Sequence, residues 1–380
     1  MTVLQPSEVA QCAAFREFAQ AEIAPLAAQI DHSDKMPAEL VRGMAARGFL
    51  GALVEDDSGA RPLTMVAFGL LCEELARASM AVQSLVTVHS MVCCAVARSG
   101  SDHLKRAVLP ALASGERIGA FALTEDGAGS DISAIAAVAT RTPTGYVING
   151  VKSWISFATL CDWLLVFVRI GGDPAAFLVP SDAPGVAIEM APPLSALRGA
   201  GLAHVHLVNV AVEMDQLVGP LGLRTSHVAA RALTYGRFCV AWAAVGVATC
   251  ALEDSARHAG SRKQFGQTIG EHQLVRRRLA DALADVESAR LACLRAGRSH
   301  DCADPDAIEH TLLAKYIATR AATRVTGSAV QILGARGLQA GTRTERCWRD
   351  ARALEIIEGS TEILQLLLGA IALQEHGRAR

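Results

Sequence analysis

The chain has 380 residues, 51% apolar and 19% charged, and its 36 Lys and Arg nearly balance 38 Asp and Glu. That length predicts two or three domains with ample core. The charge balance argues against disorder and against a general nucleic-acid-binding surface.

Up to about Arg117 the pattern is helical, with Ala-rich amphipathic stretches at 9–30, 38–47 and 63–78 separated by Pro37 and a Ser58-Gly59 turn. From Gly119 to about Val218 the texture changes to short runs rich in Val, Ile and aromatics at 146–148, 163–168, 176–179 and 205–210. Gly, Pro and Asp divide them, which predicts an antiparallel β-domain. Beyond Gly222, long helical segments at 229–258, 273–296, 306–333 and 361–373 with short connections predict a bundle. The expected organisation is α+β: an N-terminal α-helical domain over 1–118, a middle antiparallel β-domain over 119–222 and a C-terminal four-helix bundle over 223–380.

The start, Met1-Thr2-Val3-Leu4-Gln5, has no basic segment leading into an apolar run, so a cytoplasmic location is expected. The longest apolar stretch, 238–252, is bounded by Arg237 and Glu253, interrupted by Thr249, and shorter than the ~20 residues of a membrane helix. It reads as a buried core helix, with no membrane association expected. None of the ten cysteines forms a C-x-x-C pair, so buried reduced thiols are expected in place of disulfides or a metal site.

Two segments in the β-region carry chemistry. In Phe121-Ala122-Leu123-Thr124-Glu125-Asp126-Gly127-Ala128-Gly129-Ser130-Asp131 a strand enters a loop whose glycines let backbone N–H groups, with the Thr124 and Ser130 hydroxyls, approach a phosphate or a heteroaromatic ring. An ordinary turn is the competing reading. In Asn149-Gly150-Val151-Lys152-Ser153-Trp154-Ile155-Ser156 strand alternation would point Trp154 and Ser156 the same way. That arrangement suits a flavin platform, or equally a core tryptophan beside a solvated serine.

T-E-x-G-A-G-S-D followed by N-G-x-K-x-W-I-S resembles the flavin-binding β-domain of acyl-CoA dehydrogenases. Downstream, Arg262-Lys263-Gln264-Phe265-Gly266 with Glu271-His272-Gln273, Ala329-Val330-Gln331-Ile332-Leu333-Gly334, and Glu355-Ile356-Ile357-Glu358-Gly359-Ser360-Thr361-Glu362 resemble further segments of that family in order. The resemblance implies a helical–β–helical subunit in a homodimer or homotetramer, with FAD bound between subunits. It implies FAD contacts from Phe121, Leu123, Thr124, Gly129, Ser130, Trp154, Ile155 and Ser156. Arg262, Phe265 and Gln331 would reach a neighbour's FAD, with Gln264, Gln273, Gly334, Ser360 and Glu362 also near the cofactor. Asp126, Ala335 and Glu362 depart from the residues common in the family.

The resemblance implies that Glu358 removes the α-proton of an acyl thioester while a hydride leaves the β-carbon for the flavin, with Gly359 against the substrate. An apolar pocket would make that carboxylate a stronger base. Capping the helix that begins near Ser360 is the plainer alternative for Glu358, and Glu355 with Glu362 is expected to form a solvated or capping pair. Leu233-Thr234-Tyr235-Gly236-Arg237-Phe238-Cys239-Val240-Ala241-Trp242, taken with the Glu358 segment, resembles most the branch that oxidises acyl groups on an acyl carrier protein to hydroxymalonyl, methoxymalonyl or aminomalonyl extender units for polyketides. In that reading Arg237 pairs with a developing carboxylate, and a structural ion pair or the N-terminal boundary of the apolar helix accounts for it equally well. The alternatives are an ordinary short-chain acyl-CoA dehydrogenase with a CoA thioester substrate, a flavin oxidase or monooxygenase, and a non-catalytic flavin-binding partner. A dehydrogenase would also need a separate electron acceptor.

Overall fold

The computed structural model describes residues 4–54, 61–221 and 223–377, and the Ser58-Gly59 turn lies outside them. Helices come first: α1 (Pro6–Phe18), α2 (Ala27–Ser33), α3 (Ala38–Ala46), α4 (Met65–Ala78), α5 (Met80–Ser99), α6 (Asp102–Ala107) and α7 (Leu109–Ser114). The single helix expected over 9–30 is broken at Pro25, which cannot continue the backbone ladder, and a π-turn at Ala19–Ile23 leads into the break. Thr64 starts α4 by accepting a hydrogen bond from the Ala67 amide at 3.2 Å.

Helix α5 falls in the region expected to be helical, but the sequence pattern gave it no bounds of its own. Its Gln83, Ser84, Thr87, His89 and Ser90 are all buried among apolar neighbours, so no polar face signals its period. His89 ties α5 to the sheet: its Nδ1 accepts from the Gly119 amide at 3.0 Å while Nε2 donates to the Leu112 carbonyl at 2.9 Å. Burial pushes its pKa down to about 4, in keeping with the neutral ring this pairing requires.

The β-domain is one seven-stranded sheet: β1 (Gly119–Ala122), β2 (Val138–Arg141), β3 (Gly145–Ile155), β4 (Trp163–Ile170), β5 (Asp173–Pro180), β6 (Val186–Met190) and β7 (Ala203–Glu213). The order is β1-β4-β2-β3-β7-β6, with β5 also on β4. Most pairs are antiparallel as expected, but β1 and the start of β2 both run parallel to β4, since neither is joined to it by a hairpin.

The C-terminal helices are α8 (Leu223–Ser261), α9 (Gln273–Asp301), α10 (Ala307–Leu333), α11 (Arg343–Leu354) and α12 (Thr361–His376), with a two-stranded hairpin, β8 (Lys263–Gln264) and β9 (Gln267–Thr268), between α8 and α9. Four are the expected long helices; α11, rich in Arg, is an addition that packs on α8 and α10. Trp242 of α8 is fully buried against α4, where a Cβ on Gly69 would overlap its indole.

Two helices, α5 and the 227–261 part of α8, are long and apolar enough to cross a membrane, beyond what the 238–252 stretch suggested. Their apolar windows are 89% and 78% buried within the protein, so that surface is used in the core. Eight of the ten cysteines are buried and all are free, leaving Cys12 partly and Cys302 fully exposed. Among the described residues no His, Cys, Asp and Glu cluster could hold a metal ion.

Candidate functional site

Glu358 lies in the turn between α11 and α12 with a left-handed backbone, φ +54°, followed by Gly359 at φ +97°. Such a conformation is costly for a residue with a side chain and persists only where its surroundings enforce it. Here two cations hold three successive carbonyls. Lys315 of α10 donates from Nζ to the Ile357 carbonyl at 2.7 Å and to the Gly359 carbonyl, and Arg237 of α8 donates from Nε to the Glu358 carbonyl at 3.1 Å.

The Glu358 side chain enters a space made by Gly236 on α8 and Met91 on α5. The residue retains some exposure, but its Oε2 is sealed from solvent and has no hydrogen-bond partner. Burial pushes its carboxyl up to about 7, against the pull first of Lys315 and then of Arg237. A largely buried carboxylate with a sealed, unpartnered Oε2 can accept a proton from a substrate held beside it. Glu358 is not the cap of α12: Ser360 is, accepting from the Ile363 amide at 3.4 Å. Nor do Glu355 and Glu362 form a solvated pair, since Glu355 is largely buried and ion-paired to Arg352 at 2.6 Å. Glu362 is exposed, and its own amide and the Ser360 hydroxyl hold its carboxyl below the usual range.

The two β-domain segments meet where the chain leaves β1 beside the C-terminal part of β3. The Ser153 amide donates to the Thr124 carbonyl at 2.9 Å, and the buried Lys152 ammonium bonds Glu125 Oε1 at 2.6 Å and the Leu123 carbonyl at 3.2 Å. Glu125 also accepts from the Ala136 and Ala137 amides, so although burial favours its protonated form, Lys152 and these amides hold its carboxyl below the usual range. Around this buried pair Thr124 and Ser156 are half-buried, Gly129 and Ser130 are exposed, and Trp154 is 41% exposed with its ring edge-on to His204 at 5.3 Å.

Simple alternation does not reach Ser156. Register shifts between Lys152 and Ile155, Trp154 takes φ +60°, and the strand ends at Ile155 before a turn in which Phe157 takes φ +59°. The bulge, in place of alternation, presents the indole outward. Leu123 and Ile155 turn their side chains into the core, and Phe121 packs on Phe167 at 5.0 Å, so these three offer a ligand mainly their backbone.

Arg262, Gln264, Phe265 and Gln273 lie elsewhere, on the β8–β9 hairpin and the first turn of α9. Gln331 and Gly334 are exposed at the end of α10, where Gly334 takes φ +63°. Among the described residues none of these six forms a hydrogen bond or ring contact with the β-domain cradle. Phe265 is 93% exposed at the hairpin tip, with its ring edge-on to His272 at 6.0 Å.

Sequence reasoning missed Lys315, Met91 and His204, and gave Gly236 no part in the site. A lone lysine in the apolar run Leu312-Leu313-Ala314-Lys315-Tyr316-Ile317 was the available signal for the first.

Models of the N-terminal, middle and C-terminal domains of acyl-CoA dehydrogenases match residues 6–116, 120–210 and 226–373. The short-chain specific acyl-CoA dehydrogenase of Homo sapiens mitochondria is 32% identical over 367 residues, covering 95% of this chain and 89% of that protein. A glutaryl-CoA dehydrogenase from Mycobacterium smegmatis in complex with FADH2 superposes with a TM-score of 0.92 at 26% identity, over 100% of this chain and 96% of that one. The structure of FkbI, for biosynthesis of the methoxymalonyl extender unit of the Fk520 polyketide, superposes with a TM-score of 0.87 at 32% identity, over 96% and 99%. The chain belongs to the acyl-CoA dehydrogenase family. It is an FAD-dependent acyl-thioester dehydrogenase. The outward indole, the accessible Gly-rich loop and the hydroxyls around the Glu125–Lys152 pair fit a flavin and its pyrophosphate.

Proposed function

We propose that this enzyme oxidises a three-carbon acyl group on an acyl carrier protein to a hydroxymalonyl unit, with Glu358 as base. The observation that carries the reading is Arg237. Its guanidinium is largely buried beside Glu358, yet among the described residues no carboxylate lies within ion-pair distance of it. Burial lowers its pKa and Glu358 offsets this in part. A buried cation without an ionic partner suits a substrate that becomes a carboxylate. The 32% identity to FkbI supports the same branch.

The reacting group is the hydrated aldehyde of a 2-hydroxy-3-oxopropionyl thioester. Glu358 takes a proton from one C3 hydroxyl, the oxygen closes to a carbonyl, and the C3 hydrogen departs with its electron pair, leaving a carboxylic acid. FAD, when bound, supplies the acceptor for that hydride. Arg237 then holds the product carboxylate after its acidic proton is lost. Thr124, Ser130, Trp154 and Ser156 of one subunit hold the cofactor, and Arg262, Phe265 and Gln331 of a second copy complete its site, with a separate electron acceptor reoxidising the flavin.

The similarity to the human short-chain enzyme keeps a second reading in play, dehydrogenation of a short acyl-CoA to a 2-enoyl-CoA. Anaerobic mixing separates the two. Bleaching of the bound flavin by the carrier-borne 2-hydroxy-3-oxopropionyl group, lost selectively in Arg237→Met, supports the extender-unit reading. Bleaching by butyryl-CoA alone overturns it in favour of the second.

A further inference from the structure

Lys315 has no exposed surface, yet it sits mid-way along α10 between the buried Leu312, Ala314 and Ala318. Burying an ammonium there sacrifices its hydration, and a methionine would fill the same space without that cost. Its hydrogen bonds run to neutral acceptors: the carbonyls of Ile357 and Gly359, one on each side of Glu358. Among the described residues it has no carboxylate within ion-pair distance.

The geometry points to Lys315 as a positioning residue: its ammonium fixes the left-handed turn that aims the Glu358 carboxylate and sets a positive charge near it. The role rests on the proposed use of Glu358 as base. Two requirements oppose each other at such a base. Exclusion of water strengthens it, but exclusion alone would leave it protonated and useless at neutral pH. A cation held by backbone carbonyls nearby meets both requirements, because it favours the ionised carboxylate without capping it with a hydrogen bond.

The charged groups that bear on Lys315 are Glu358, Arg237 and Glu355. Glu355 is already neutralised by Arg352, so the field of Lys315 acts chiefly on Glu358, which feels it ahead of Arg237. Lys315 itself is pushed down to about 8 by burial, with Glu358 pulling it back, so it still carries its charge at neutral pH.

The test is an infrared titration of the Glu358 carboxyl in the FAD-loaded enzyme, assigned by difference against Glu358→Gln. Wild type is compared with Lys315→Met, Lys315→Gln and Lys315→Arg, and flavin reduction is followed over pH with butyryl-CoA and with the carrier-bound 2-hydroxy-3-oxopropionyl group. The Met and Gln variants are expected to raise the Glu358 midpoint by about one pH unit, a tenfold gain in proton affinity. The acid limb of flavin reduction should move with it, and Lys315→Arg should restore both. Lys315→Gln, which still donates hydrogen bonds, and Lys315→Arg carry the comparison if Lys315→Met does not fold. An unmoved midpoint in the Gln variant, or an equal displacement in the Arg variant, overturns the role of Lys315 even where Glu358→Gln abolishes flavin reduction. A displaced midpoint alongside full flavin reduction by Glu358→Gln overturns the base reading instead.

Discussion

The Glu358 carboxylate stands directly over the bare Cα of Gly236. A Cβ at position 236 would overlap Glu358 Oε2 and come within 2.9 Å of Met91 Sδ. This glycine lies within α8, so the neighbouring carboxylate, and not a need for unusual backbone angles, is what excludes a side chain. Gly236→Ala is therefore expected to displace the proposed base while leaving the fold and FAD content intact. A shift near 1 Å costs about 100-fold in rate, measurable as slower anaerobic flavin reduction. An unchanged rate would show that the carboxylate is not held where it must act.

Ionisation of Glu358 sets the expected pH profile. With its carboxyl raised to about 7 by burial, the ionised base accumulates as pH rises, so flavin reduction should increase through about pH 7 and then level off. Stability moves the other way. The folded carboxyl keeps its proton between its ordinary value of 4.5 and about 7, where the unfolded chain has released it, so this group's contribution to stability falls as pH rises through that window. Glu358→Gln should remove that part of the pH dependence of unfolding, as urea titrations at pH 5 and pH 7.5 would reveal.

Lys152 and Glu125 form a pair buried under the proposed flavin cradle, with 0% and 8% side-chain exposure. Lys152→Met leaves Glu125 buried with only its two amide donors, and breaking such a pair typically costs about 3–5 kcal/mol. A lower midpoint of thermal unfolding together with loss of bound FAD is the expected result. Full stability with normal FAD content would contradict the structural role given to the pair.

Phe265 is 93% exposed and within this chain its ring meets only the side of His272 at 6.0 Å among the described aromatic contacts, so Phe265→Ala should change stability by no more than about 0.5 kcal/mol. If the hairpin tip completes a neighbour's site, FAD retention through gel filtration should nevertheless fall, and oligomer size with it. Unchanged retention and size would remove the hairpin from the cofactor site.

Much of this arrangement was legible in the sequence, for physical reasons that differ from segment to segment. The Gly-rich loop after Thr124 and the Glu358-Gly359 turn announce themselves because a backbone that approaches a ligand or takes left-handed angles needs recognisable residues. The Glu125–Lys152 pair did not, because its partners lie 27 residues apart and meet only once β1 and β3 are folded together. Helix α5, within the stretch read as helical, received no bounds because burial on every side erased the amphipathic period, and His89 looked like any polar interruption although it links α5 to β1. Trp154 was expected to share a face with Ser156 by strand alternation; a bulge defeats that argument while still exposing the indole. Glu355 looked solvated only because Arg352, three residues earlier, was not recognised as its partner.

The most direct test of the account is the anaerobic visible spectrum of Glu358→Gln beside wild type, each mixed with the carrier-bound 2-hydroxy-3-oxopropionyl group and, separately, with butyryl-CoA. The account predicts equal FAD content in both proteins, bleaching of wild type by at least one thioester, and a loss of about 10³-fold or more in that rate for Glu358→Gln. Bleaching of Glu358→Gln at the wild-type rate would contradict it.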